Sequence, residues 1–158
     1  MGDGLRRRVL EMVAAEYRAH SMPPLRTVGV DLRGYLEVSV QKPALYVVSG
    51  DGGTVGREHG DGVVEIMPFW LHGYVMGPSG EPDGVMAARE DLYQTVLRAL
   101  YADTMRERWI TDAAAHNGNG CSQVWHVEGP VTDKGLSPPQ GGFILPCVAR
   151  LHYKPSSY

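Results

Sequence analysis

Residues 63–76 constrain the fold more than any other stretch, because they read as one long strand with apolar side chains on both faces. Val63, Met67, Phe69, Leu71 and Val75 fall on one side, and Val64, Ile66, Trp70, Tyr74 and Met76 on the other. A strand of this kind is expected at the centre of a sheet, covered from above and below. The chain is 158 residues long, the size of one domain. A single core organised around this strand is therefore expected over 1–158.

The strand has a natural partner in Pro43-Ala44-Leu45-Tyr46-Val47-Val48, which is short, rich in β-formers and closed by Ser49-Gly50. Between the two lies a glycine-dense loop at 50–62, which has few apolar anchors and is expected to be mobile in the free monomer.

Two helices are legible. The first has Asp3 as its expected N-cap and Leu5, Val9, Met12, Val13 and Tyr17 at spacings of three and four. It is expected to run to about Ala19, where Ser21, Pro23 and Pro24 stop it. In the second, Val85, Ala88, Leu92, Val96, Ala99 and Leu100 form a buried stripe, while Arg89, Glu90, Gln94 and Arg98 stay outside. The intervening stretch 25–42 reads as a loop with a short strand at 35–40.

Two more strands are expected near 122–128 and 143–154. In the last, Phe143, Leu145, Cys147, Ala149, Leu151 and Tyr153 share a core face, and Arg150, His152 and Lys154 share a polar, available one. Pro146 lacks a ladder donor, which predicts an edge position or a bulge. The element order is helix, two strands, helix, two strands. That predicts an α+β fold with helices packed on a mostly antiparallel sheet.

Charge and cysteine content narrow the function. A net charge of −3 and a pI near 6.0 provide no broad positive field for nucleic acid. Arg6, Arg7 and Arg8 are consecutive, so on a helix they spread around the circumference and read as a solvated face. Two cysteines are too few for a disulfide framework, and a reducing compartment is expected. No apolar run approaches the roughly 20 residues of a membrane span, and the N-terminus lacks the apolar stretch of a signal peptide. Synthesis in the cytoplasm without a membrane partner is the expectation.

Three constellations invite a chemical reading. Gly50, Gly52, Gly53 and Gly56 follow an apolar strand, as in a dinucleotide-binding loop, but a strand and not a helix N-terminus comes next. His116, Cys121, His126, Cys147 and His152 match no zinc-ligand spacing. Cys121 with His126 is the one nucleophile and base pair close in sequence, and it supports an alternative reading as a small hydrolase. Glu58, His59 and Asp61 can be drawn as acid and base, but on a solvated loop where burial cannot tune them. No catalytic, cofactor-binding or metal-binding residue is expected, and no cofactor.

The order of elements, Pro43-Ala44-Leu45-Tyr46-Val47, the strand ending Trp70-Leu71-His72-Gly73-Tyr74-Val75, the helix at 88–100 and the alternating closing strand together resemble the tail-terminator proteins of long-tailed bacteriophages. The likeness extends from the helix at 5–17 to the strand at 143–153, while 25–42 and 112–120 have no counterpart in the family pattern. It implies a structural virion protein, not an enzyme, forming a homo-oligomeric ring, typically a hexamer, on the end of the tail. Its implied partners are the tail-tube protein and a neck or head-completion protein, with DNA only as passing cargo. An alternative within the same class is a neck or head-completion connector. In such a ring, Trp70 and Tyr74 are the candidate interface, since aromatics favour buried interface centres. Asp51, Glu58 and Asp61 are candidates to face the lumen, where carboxylates would repel passing phosphates.

Overall fold

The computed structural model describes residues 2–20, 25–31, 41–58, 60–77, 82–132 and 140–155. Within them the fold is α+β, with three helices and one seven-stranded sheet. The predicted strand at 35–40 lies outside the described residues.

The elements run α1 (Gly2–His20), β1 (Thr27–Val30), β2 (Ala44–Ser49), β3 (Thr54–Arg57), β4 (Val63–Met76), α2 (Pro82–Leu100), α3 (Asp103–Ala115), β5 (Gly120–His126), β6 (Val131–Thr132) and β7 (Gln140–Tyr153). The sheet order is β1-β2-β4-β7-β5, with β3 also on β4 and β6 also on β7. Only the β1–β2 pairing is parallel. The expected alternation of one helix and two strands is thus too simple. It omits α3, β1, β3 and β6.

The centre is the β4–β7 pair, antiparallel over fourteen residues from Val63↔Tyr153 to Met76↔Gln140. Because both strands keep strict alternation, their odd-numbered residues share one face. Met67, Phe69, Leu71 and Val75 meet Phe143, Leu145, Cys147, Ala149 and Leu151 there, all buried. Leu45 and Val47 of β2 and Cys121 and Val124 of β5 extend that layer.

All three helices pack on this inner face. Leu5, Val9, Met12, Val13 and Tyr17 of α1, Leu92, Val96, Ala99 and Leu100 of α2, and Met105 and Trp109 of α3 belong to one hydrophobic cluster with it. Each large side chain so buried is worth about 1.5–3 kcal/mol. The second face of β4 was expected to be covered as well. On that face His72 and Tyr74 are buried beside Ala44 and Tyr46 of β2, Trp70 and Met76 are exposed, and among the described residues the cluster holds strand residues, Ala44, Tyr46 and Tyr74 with Val48 against them.

The glycine loop contains a strand of its own. Thr54–Arg57 resumes pairing with β4, so β2 and β3 act as one strand broken at 50–53. The break demands glycine: a Cβ on Gly53 would lie 2.4 Å from the Ile66 carbonyl oxygen, at a φ of +119°. A tight turn then closes the hairpin, with the Glu58 amide donating to the Gly62 carbonyl at 2.8 Å.

Pro146 corrects a further expectation. β7 is an interior strand, not an edge, and partners flank it on both sides. The Val127 amide donates to the Pro146 carbonyl at 3.0 Å. In an antiparallel hydrogen-bonded pair the return bond would come from the amide of residue 146, which proline lacks. β5 accordingly ends at His126, and pairing resumes only at Val131.

The three consecutive arginines of α1 are not one solvated face. Arg6 reaches buried Glu65 at 2.6 Å, and Arg8 reaches Asp112 at 3.0 Å and the Asn119 carbonyl. Arg7 alone stays on the surface, near Glu11 and Asp31. Asp3 lies inside α1 and does not precede it.

Candidate functional site

Two regions stand out: the outer face of the sheet, on which no helix among the described residues packs, and a polar cluster at the end of that face.

Even-numbered residues of β4 and β7 build the outer face. Ile66, Pro68, Ile144, Pro146 and Val148 are half-buried, as is Trp125 of β5, while Trp70 is 39% exposed, Met76 45% and Val131 56%. The last strand was expected to present a purely polar outer side. Only Arg150 and His152 meet that expectation, because Ile144, Pro146 and Val148 occupy the preceding positions of the same face. Exposed apolar side chains grouped on one face are a common mark of a surface that a partner covers.

Trp70 and Tyr74 share this face but differ in access. Trp70 is open to solvent. Tyr74 is 5% exposed, its ring edge-on to Tyr46 with centroids 6.1 Å apart. Gly29 lets the Tyr46 ring lie over β1: a Cβ there would come within 3.0 Å of it. Tyr74 is therefore packed into its own chain, and Trp70 is the aromatic left to meet another.

Asp51, Glu58 and Asp61 lie exposed on the β2–β3–β4 hairpin. Among the described residues, no group of three or more His, Cys, Asp or Glu stands close enough to share a metal ion.

The structure does not join Cys121 to His126. Cys121 is buried against the helices, its thiol donating to the Gln123 carbonyl at 3.3 Å, and burial pushes it up to about 12. A neutral thiol is a poor nucleophile. His126 stacks edge-on against Tyr101 of the α2–α3 junction and shares a hydrogen bond with its hydroxyl. Burial likewise raises the Cys147 thiol.

What sequence spacing missed is a different trio. Ser122 Oγ lies 2.7 Å from His152 Nε2 and 3.5 Å from the Arg150 carbonyl oxygen, and His152 Nδ1 stands 3.6 Å from Oε1 of Glu58. A bulge between Cys121 and Gln123 makes this possible: Cys121 pairs with Leu151 and Gln123 with Arg150, leaving Ser122 as the extra residue. Glu58 arrives from the β3–β4 turn across Val64, the β4 partner of His152. Beside Ser122 opens a cleft of about 300 Å³, lined also by Tyr101, Asp103, Arg106 and Trp109.

No family model matches the chain, and no characterised protein matches it in sequence. No helix among the described residues is long and apolar enough to cross a membrane.

Proposed function

We propose that this chain is the subunit of a homomeric ring, a hexamer in the tail-terminator manner, that caps a phage tail tube and offers the joining surface for neck and head. The observation that carries the assembly reading is the outer sheet face, apolar, free of any described helix and bearing exposed Trp70. In a ring each contact is heterologous, so this face meets a different patch on the neighbour. Trp70 is the anchor of that contact, and Tyr74 lies on the same face within the Tyr46 cluster. In this reading Asp51 and Asp61 of the hairpin face the lumen and keep passing DNA from sticking, while Glu58 stands beside His152. The tail-end location in the virion rests on the family resemblance, and the open face supports association as such.

Light scattering on size-exclusion peaks, with and without purified tail tubes, tests this. The expected mass is about six times the 17.3 kDa chain, and Trp70→Glu is expected to give monomers with an unchanged circular dichroism spectrum. A chain that stays monomeric even with tail tubes present overturns the proposal.

A further inference from the structure

We infer that Ser122, His152 and Glu58 form a nucleophilic acyl-transfer site, and that its substrates are small carboxylic esters bound in the cleft beside Ser122. The site goes beyond the ring reading and does not depend on it. It lies about 20 Å from Trp70 along β4, six residues away at about 3.3 Å each.

The geometry assigns the roles. A serine hydroxyl is a weak nucleophile unless a base within hydrogen-bond reach takes its proton. His152 Nε2 is that base, at 2.7 Å from Ser122 Oγ. For Nε2 to accept, the ring proton must sit on Nδ1, and the Glu58 carboxylate on that side, 3.6 Å away, favours this tautomer. Glu58 touches neither substrate nor serine, so it is a positioning residue. Serine, histidine and acid stand in the order that nucleophilic hydrolases reach on unrelated folds.

The placement of Ser122 also fits. In a regular strand it would pair with a β7 residue, whereas the bulge frees it from the register. It therefore stands at the border between the outer face, where His152 lies, and the cleft on the helix side. The cleft, about 300 Å³, is within the range that holds a small ligand. Trp109 and Tyr101 offer aromatic surface to an aryl or short acyl group, and Arg106 offers a cation.

In the reaction, Ser122 Oγ bonds to the ester carbonyl carbon as its proton passes to His152 Nε2. The carbon–oxygen bond to the alcohol then breaks, and His152 returns the proton to the departing alcohol. Water, activated by the same imidazole, releases the acid and restores the serine.

The test uses the full chain and two probes. A fluorophosphonate should phosphonylate Ser122, with fluoride leaving, at one adduct per native chain and none after heat unfolding; tandem mass spectrometry locates the adduct. With p-nitrophenyl acetate, Ser122→Ala should abolish turnover, and His152→Gln should lower it about 100-fold or more. Glu58→Gln should lower kcat about 10-fold at unchanged KM, with Glu58→Asp recovering part of the loss, a split that a merely structural role would not give. Absence of the Ser122 adduct on the native chain overturns the inference, as does equal turnover by Ser122→Ala.

Discussion

Arg108 of α3 donates from Nε to Oε1 of Glu16 at 2.5 Å, and the Glu16 side chain has no exposed surface. Thr104 donates to the other carboxylate oxygen, also at 2.5 Å. One helix thus carries a charge into the core, and another supplies both groups that satisfy it. A buried charge deprived of its partner is far costlier than a pair removed together. Arg108→Leu is expected to lower stability by about 3 kcal/mol, while Glu16→Leu combined with Arg108→Leu costs less than the single change. Urea denaturation of the three proteins checks this, and equal losses for single and double variants would sink it.

Gly73 sits on β4 where Phe143 and Leu92 of α2 crowd the backbone. A Cβ there would lie 2.6 Å from Phe143 Cε1 and 2.9 Å from Leu92 Cδ2. Phe143 cannot swing away freely, because Tyr93 meets it edge-on at 5.7 Å. Gly73→Ala should therefore overpack the core and cost about 1–3 kcal/mol. Phe143→Leu in the Gly73→Ala background should recover part of that loss, although alone it destabilises. Additive losses in the double variant would rule out the steric account.

These two sites also show what the sequence could reveal. α2 was legible because its apolar residues recur over five turns, β4 because apolar residues fill both faces of a long run, and β7 because its apolar residues alternate. α3 was not, since only Met105 and Trp109, one turn apart, are buried in it. Arg108 and Thr104 face Glu16, so polar residues of α3 take part in the packing and leave no apolar periodicity to read. The glycine loop hid β3 because its strand is exposed at every position, leaving no burial pattern to read. At the candidate site, closeness in sequence misled. Cys121 and His126 share a strand but engage separate partners, whereas Glu58, Ser122 and His152 meet only because three hairpin segments converge. A bulge at Ser122 leaves no compositional trace. The open outer face was equally hidden, since alternation shows that a face is apolar and not what lies against it.

The thiols make a pH prediction with a definite sign. Burial raises Cys121 from 9.0 to about 12. Below pH 9 the thiol is neutral in both folded and unfolded chains, and its contribution is fully present. Between pH 9 and about 12 the unfolded chain releases the proton and the folded chain does not, so stability falls as pH rises, by up to about 1.4 kcal/mol per unit for a single group. Cys147 shifts in the same direction. At pH 8, Ellman's reagent should leave both thiols of the native chain unmodified and modify both in guanidinium. Cys121→Ala should flatten the stability profile above pH 9; an unchanged slope would remove Cys121 as its source.

Phe69 and Trp70 are adjacent on β4 and face opposite layers, Phe69 fully buried under the helices and Trp70 39% exposed on the open side. The same truncation should therefore read differently at the two positions. Phe69→Ala removes a ring from the packed core and is expected to cost about 3–5 kcal/mol. Trp70→Ala removes a ring that is 39% exposed and pairs with His72 at 6.4 Å between centroids, and in dilute, unassembled chain it should cost less than about 1 kcal/mol, within the range of ordinary surface changes. The difference should vanish only if something within the same chain packs on the outer face. Chemical denaturation at concentrations low enough to keep the chain monomeric decides between these outcomes. At higher concentration Trp70→Ala should also lower the apparent stability of the assembly, because a protomer contact stabilises the fold by mass action. Concentration dependence in the wild type and its loss in Trp70→Ala together would tie the open face of the sheet to association, while a concentration-independent wild type would detach Trp70 from any ring contact.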